Sequence, residues 1–346
     1  MPLNIPRTIE WVENKVRLIN QLKLPYALEY IETGDWRRVA EAIRTMEIRG
    51  APAIGVAAAF ALALATIHSS ARTLSETLKE LEECAEALKR TRPTAVNLFW
   101  AVSRVLDEAR KAAEIEDLRK RVVETALMIQ RIDEEANRMI GNYGEKLIEN
   151  GDTVMTICNA GSLATSYYGT ATAPLYVAQE KGTKFRVIAL ETRPYLQGAR
   201  LTAWELKQAG IEVKVVTDNA IGIVTQKERV DLVITGADRI TSKGYVANKV
   251  GTYPLALVAK EHGVPFYVAA PTSTFDLSIE KGEEIPIELR PSEEVTLMFG
   301  KRITPEGVDA IYYAFDVTPP KLITGIITEK GVLYPPFDKS IKRVLL

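Results

Sequence analysis

Histidine and cysteine are the scarcest chemistry-bearing residues in this 346-residue chain, with two of each. With only His68 and His262, neither a histidine metal centre nor a Ser-His-Asp relay is expected. Cys84 and Cys158 make no disulfide framework, so a reducing, cytoplasmic setting is expected. An excess of one charge is also missing. Lys and Arg number 44 against 45 Asp and Glu, a balance that draws the chain to neither nucleic acid nor a membrane surface. The longest apolar run, Ala51 to Ile67, is too short and Ala-rich for a good membrane span. Met1–Arg7 has no apolar core of the leader type. No Gly-x-Gly-x-x-Gly follows a strand pattern and no Walker loop occurs, which argues against a dinucleotide or NTP site. There is no internal repeat and no low-complexity tract.

What is present is a change of hydrophobic period. Thr8–Val12, Val16–Ile19 and Ala27–Ile31 read as short antiparallel strands. Residues 35–150 then read as nearly continuous helix. Asp35 is placed to cap Trp36–Met46. Pro52 opens a helix that is apolar on every side through Ile67 and must be a core element. Glu76–Arg90 is amphipathic, and Pro93 is expected to open a helix with Leu98, Val102, Val105 and Leu106 on one face. A long helix follows, with Val123, Ala126, Ile129, Ile132, Ala136, Met139, Tyr143 and Leu147 at helical spacing.

From residue 151 wholly apolar short strands take over: Val154–Cys158, Val187–Leu190, Val213–Thr217, Leu232–Thr235 and Phe266–Ala269. Helices over Leu163–Glu180, Gly198–Gln208, Ala220–Arg229 and Tyr253–His262 separate them. That alternation predicts a parallel sheet covered on both faces. The expected fold class is α/β. A small N-terminal β-meander plus helical domain spans residues 1–125, and a Rossmann-like catalytic domain spans 126–346, with the boundary near or within the long helix.

Candidate chemistry gathers at strand ends and helix starts. Cys158 closes the first apolar strand ahead of a small-residue turn. It is either a small buried apolar residue or a thiol at the sheet edge where open α/β folds bind ligands. Arg49 precedes Gly50-Ala51-Pro52, and Arg92 precedes Pro93-Thr94. A cation at a helix start is disfavoured unless an anion is bound there, so these are candidate phosphate ligands, or else each pairs with a carboxylate. Asp238, after the fourth strand, is a candidate general acid or base kept protonated by apolar walls such as Ala53, Ile54 and Ala57. The alternatives are a helix cap or an ion pair with Arg239. Asn248 and Lys249 offer a donor and a second cation, or only loop polarity. Gln197 stands near a strand end, within reach of a hydroxyl. Cys84 reads as structural, and His68 and His262 as helix-end residues. A thiol facing an acid, beside a phosphate clamp, suits proton movement on a phosphate ester, as in sugar-phosphate isomerisation. Thiol hydrolysis would need a base such as His.

Taken together, several segments resemble one family. They are Arg49-Gly50-Ala51-Pro52-Ala53-Ile54-Gly55, Arg92-Pro93-Thr94-Ala95-Val96-Asn97-Leu98, Cys158-Asn159-Ala160-Gly161-Ser162-Leu163-Ala164-Thr165, Gly236-Ala237-Asp238-Arg239-Ile240, Ala247-Asn248-Lys249-Val250-Gly251-Thr252-Tyr253, Ala269-Ala270-Pro271-Thr272-Ser273-Thr274-Phe275-Asp276 and Ala314-Phe315-Asp316-Val317-Thr318-Pro319. In order and spacing, from about residue 8 to about 335, they resemble the S-methyl-5-thioribose-1-phosphate isomerases of methionine salvage. That family is similar in fold to initiation-factor-2B-like regulatory subunits and to ribose-1,5-bisphosphate isomerase, which supply the alternative readings. The resemblance implies aldose–ketose isomerisation of a small sugar phosphate by a cytoplasmic homodimer with no metal or organic cofactor. It implies Asp238 as proton donor and Cys158 as its catalytic partner. Arg49, Gly50, Ala51, Arg92, Gln197, Asn248 and Lys249 are implied to hold substrate. Tyr312-Tyr313 departs from the family's common Asn-Pro and is expected to touch no residue with an assigned role.

Overall fold

The structure, a computed structural model, describes residues 3–93 and 95–345. The chain folds as two compact units. One gathers Ile5–Asn137 and Gly161–Gly169; the other gathers Arg138–Ala160 and the chain from Thr170 onward.

In the first unit β1 (Ile9–Val12), β2 (Lys15–Ile19) and β3 (Tyr30–Thr33) form the expected antiparallel meander. β3 starts at Tyr30 rather than Ala27 because the Ala27 N–H turns back onto Lys23 O at 3.0 Å. Helices α1 (Trp36–Arg44), α2 (Ala51–Ile67), α3 (Leu74–Thr91), α4 (Val96–Ala109) and α5 (Ile115–Gly144) follow, the residues of α5 from Arg138 being counted with the other unit. Asp35 caps α1 as expected, accepting from Arg37 N at 2.9 Å. α3 begins ahead of expectation because Thr73 and Glu76 close a reciprocal capping box. α2 is the core: every residue from Ala53 to Thr66 is buried, and the Phe60 ring meets Trp11 at 5.5 Å. Cys84 is sealed in the same core, where burial pushes its thiol pKa far up, so it is inert and structural. The apolar stripe of α5 is narrower than expected. Ala126 and Ile129 are buried, but Ile132 and Met139 are 44% and 39% exposed.

One expectation here needs correcting. α4 starts at Val96 with Ala95 as its N-cap, so Pro93 lies in the connection and does not open the helix. Arg92 is instead the C-cap residue of α3, an end where the helix dipole favours a cation. Thr94 lies outside the described residues.

The second unit runs β4 (Thr153–Thr156), α6 (Ala173–Glu180), β5 (Arg186–Leu190), α7 (Ala203–Gln208), β6 (Glu212–Val216), α8 (Ile221–Lys227), β7 (Leu232–Thr235), β8 (Arg239–Thr241), β9 (Val246–Lys249), α9 (Thr252–Glu261), β10 (Phe266–Ala269) and β11 (Phe275–Asp276). It continues with β12 (Leu289–Arg290), α10 (Glu293–Thr296), β13 (Leu297–Met298), β14 (Lys301–Arg302), β15 (Tyr312–Tyr313), β16 (Phe315–Thr318), β17 (Gly325–Thr328), β18 (Gly331–Leu333) and α11 (Phe337–Leu345). Its main sheet has the order β18-β17-β10-β7-β4-β5-β6. All neighbours are parallel except β18, which runs antiparallel to β17. All five expected apolar strands are in it. The chain moves outward from β4 to β5 and β6, then returns to lay β7 against the other side of β4. The strand order therefore reverses between β4 and β7, the place where open α/β sheets bind ligands.

The helix expected over 163–180 is only half there. α6 begins at Ala173; before it the chain makes one tight turn, Ser162–Ala164, and then runs irregularly. Thr165 Oγ1 donates to Tyr167 O and accepts from Gly169 N, both at 3.0 Å, and Tyr168 and Gly169 hold positive φ of 76° and 72°. Local hydroxyl bonding has displaced the helix. Cys158 consequently has no α-helix N-terminus directly behind it. Sequence periodicity also missed a second sheet, β11-β8-β9-β16. Its strands have two to four residues and polar members, too few for alternation to show. No described helix is long and apolar enough to cross a membrane.

The end of β5 depends on one glycine. A Cβ on Gly198 would lie 1.7 Å from Leu190 O and 3.0 Å from Thr192 Oγ1. Gly198→Ala should therefore cost about 3 kcal/mol of stability. Gly222→Ala, where a Cβ meets nothing within 4 Å on α8, should add about 0.5 kcal/mol. Urea unfolding of the two variants checks the opposite signs.

Candidate active site

The strand exits at the reversal point are pressed together. A Cβ on Gly236, just past β7, would lie 2.4 Å from the Cβ of Ala160, just past β4. Only glycine permits this approach, which brings the segment carrying Asp238 against the segment carrying Cys158. Asp238 N donates to Ala247 O at 2.9 Å, setting it beside β9. Gly251, at φ +102°, places its Cα where a Cβ would be 3.0 Å from Ile157 Cδ1. The turn after Lys249 thus packs on the residue preceding Cys158. Cys158, Asp238, Asn248 and Lys249 share one edge of this unit, and the Lys249 ammonium senses the charges of both Cys158 and Asp238.

Cys158 is half-buried and holds φ +65°, a left-handed conformation uncommon for a residue with a Cβ. Two threonines fix it there. The Cys158 N–H donates to Thr192 Oγ1 at 2.9 Å, and Thr202 Oγ1 donates to Cys158 O at 2.6 Å. Thr192 and Arg193 in turn donate their backbone N–H groups to the Asp218 carboxylate at 2.8 and 2.6 Å. Sequence reasoning missed Thr192, Thr202 and Asp218. Thr192 and Asp218 come directly after strands β5 and β6, which was the available signal. Gln197 is buried just ahead of a single π-type turn over Gly198–Thr202, and its Oε1 has no partner among the described residues. An unsatisfied buried acceptor is costly in the free chain and is ready for a hydroxyl.

The helix-cap reading of Asp238 does not hold. Arg239 pairs with Asp276 at 3.2 Å, and β8, not a helix, follows. Asp238 is exposed in the chain, while Ala53, Ile54 and Ala57 are spent in the core of the other unit. Asn248 and Lys249 lie on a buried strand, not in a loop. Asn248 Nδ2 donates to Thr235 Oγ1 at 3.0 Å and Thr252 Oγ1 at 2.9 Å. Both its hydrogens are committed inward, so it has the Oδ1 acceptor to offer rather than the expected donor.

Lys249 is buried, and burial pulls its pKa below the ordinary lysine value. Its Nζ donates to Tyr312 Oη at 3.2 Å and lies 5.6 Å and 5.0 Å from the ring centroids of Tyr312 and Phe315. Cation–π contacts of this kind contribute about 1 kcal/mol or more when desolvated. Tyr312, expected to touch nothing of consequence, therefore touches a candidate substrate residue. Across the β9–β16 pair, Asp316 opposes Asn248 and accepts from Gly251 N at 2.7 Å and Tyr253 N at 3.0 Å, tying down the turn after Lys249.

The remaining candidates belong to the helical unit. Arg49 is half-buried immediately before Gly50, which holds φ +95° as the N-cap of α2. A Cβ at Gly50 would strike Ala164 O at 2.4 Å, so position 50 must be glycine. Pro52 occupies the second helical position, after Ala51. α1 and α3 carry side-chain caps, whereas among the described residues α2 and α4 have none and no acidic residue in their first turns. Gly55 on α2 approaches Asn97 O at the start of α4, where a Cβ would lie at 3.0 Å. The two uncapped ends of one unit are neighbours, with Arg49 beside the first and Arg92 ahead of the second.

A Rossmann-like sheet with an acid and a thiol at its reversal point, preceded by a helical unit, defines a class. The model of the Initiation factor 2 subunit family matches residues 47–335, and the chain belongs to that family. Within it, the methylthioribose-1-phosphate isomerase of Thermotoga neapolitana is 52% identical over 339 residues, 98% of each chain. The crystal structure of 5-methylthioribose 1-phosphate isomerase from Pyrococcus horikoshii OT3 matches with a TM-score of 0.94 at 45% identity, over 99% of this chain and 96% of that one. A structure from A. fulgidus described as translation initiation factor eIF-2B, subunit delta, matches at 0.90 and 44%, over 97% and 99%.

Burial raises the Asp316 carboxyl from its ordinary 3.8 to about 6. A folded value above the unfolded one means that the protonated group favours the fold. That contribution is full below about pH 4 and is lost as pH rises through about 6. Between pH 4 and pH 7 the wild type should lose about 2 kcal/mol relative to Asp316→Asn, read by urea denaturation of both at each pH. A constant difference would refute the assignment.

Proposed function

We propose that the protein converts S-methyl-5-thio-α-D-ribose 1-phosphate to S-methyl-5-thio-D-ribulose 1-phosphate, an aldose–ketose isomerisation in methionine salvage. The observation that carries this is near-full-length identity of about half with relatives of that name, as in the 52% match over 339 residues. The convergence of Cys158 and Asp238 at the strand-order reversal supports it.

In this reading the C-terminal portion carries the chemistry and the N-terminal portion supplies phosphate ligands, in a cytoplasmic homodimer. Asp238 gives a proton to the ring oxygen as its bond to carbon 1 breaks, leaving a cation at carbon 1 stabilised by the attached oxygen. The carbon 2 hydrogen then reaches carbon 1 by one of two routes. It shifts as hydride, or the Cys158 thiolate takes it as a proton and an enol is reprotonated at carbon 1. The carbon 2 hydroxyl proton returns to Asp238 as the ketone forms. Substrate seated over Asp238 removes water from around the carboxyl. Arg49 with the Gly50 and Ala51 backbone at the α2 terminus, and Arg92, are groups suited to a phosphate, and Lys249 is independently a cation suited to one. The open Gln197 Oε1 and Asn248 Oδ1 suit sugar hydroxyls.

Purified protein should turn over methylthioribose 1-phosphate and not ribose 1,5-bisphosphate. No turnover of either sugar phosphate would favour the translation-factor reading that the A. fulgidus name suggests. Cys158→Ser and Asp238→Asn should each lower kcat by about a hundredfold or more; near-normal turnover in either removes that residue from the chemistry. Reaction in deuterium oxide separates the routes, because full retention of substrate hydrogen at carbon 1 excludes the thiolate.

A further inference from the structure

Lys249 is a buried cation held in an unusual way. Among the described residues it forms no salt bridge; its ammonium is instead held by the Tyr312 hydroxyl at 3.2 Å and lies near the rings of Tyr312 and Phe315 at 5.6 and 5.0 Å. A carboxylate partner would fix the ammonium but cancel its charge. A phenol oxygen and two ring faces fix it while leaving the charge whole. An ammonium has three donors, and Tyr312 takes one. Tyr312 is itself buried, on the short strand β15, with β16 beginning just beyond it. Main-chain pairing fixes both aromatic residues in place: Tyr312 opposes Arg290 on β12, and Phe315 opposes Lys249 itself on β9.

We propose that Tyr312 is a positioning residue for substrate phosphate: with Phe315 it holds the Lys249 ammonium oriented and unneutralised, so that two N–H donors and a full positive charge face the dianion. This rests on the assignment of Lys249 to substrate binding. The aromatic cradle acts on affinity rather than on bond making, because what it holds is the Lys249 ammonium. It also accounts for burying a lysine that forms no salt bridge among the described residues, a cost recovered when an anion binds.

The test is steady-state kinetics with methylthioribose 1-phosphate, and inhibition by inorganic phosphate, on three variants of the full chain. Tyr312→Phe removes the hydroxyl and keeps the ring; it should raise KM and the phosphate inhibition constant together by about fivefold, with kcat within about twofold. Tyr312→Leu removes the ring as well and should raise both constants by a further several-fold. Lys249→Gln should raise both by a hundredfold or so, and adding Tyr312→Phe to it should change nothing more. If Lys249→Gln alters neither constant, the assignment of Lys249 fails and the proposal falls with it. If Lys249→Gln raises both while Tyr312→Phe and Tyr312→Leu leave them unchanged, the assignment stands and the role of Tyr312 is overturned. A Tyr312 variant that lowers only thermal stability, with both constants intact, likewise shows a structural residue and nothing more. Should Tyr312→Leu not fold, the Tyr312→Phe series decides alone.

Discussion

The contact between Gly236 and Ala160 is the constraint on which the arrangement of the sheet unit's strand exits depends. Two parallel strands adjacent in a sheet do not by themselves bring their exit loops into contact; side chains at the exits hold them apart. Here one exit has no Cβ and the other has only a methyl, at a separation that leaves no room for another. Cys158 and Asp238 sit on either side of that pinch. Topology chose the place, since the strand order reverses between β4 and β7, and small residues closed the distance.

Around the pinch, polar groups are used for holding rather than for reacting. Thr192, Thr202 and Asp218 fix the backbone of Cys158 and its neighbouring loop. Asn248 spends its donors on Thr235 and Thr252, and Asp316 ties the turn beyond Lys249. What remains uncommitted is chemically telling: the Gln197 acceptor, and a lysine cradled by aromatic rings in place of a carboxylate. A buried acceptor and a buried cation left in this state cost the free chain stability.

Long and strongly patterned elements were legible in the sequence. The helix Ala51–Ile67 announced itself as core by having no polar face, and the five apolar strands marked a parallel sheet. Misreadings came where local polar bonding overrides periodicity. The Ser- and Thr-rich stretch after Cys158 looks helical by composition, yet its hydroxyls bind the backbone and delay α6 to Ala173. Pro93 suggested a helix start, and the helix begins three residues later at Val96. Asn248 and Lys249 read as loop because a four-residue strand paired to distant β16 leaves no alternating signature. Tyr312 was passed over because its contact with Lys249 spans sixty-three residues of sequence and follows no short-range rule. Cys158 and Asp238 could be placed at strand ends by counting; that Asp238 would be exposed in the chain could not.

The left-handed backbone at Cys158 sets two demands against each other. Glycine or asparagine would sit there comfortably, whereas a cysteine gives up roughly 1 kcal/mol to hold the same angles. Replacement by glycine would therefore make the molecule sturdier while taking a thiol away from the sheet edge, so stability and sulfur pull this position in opposite directions.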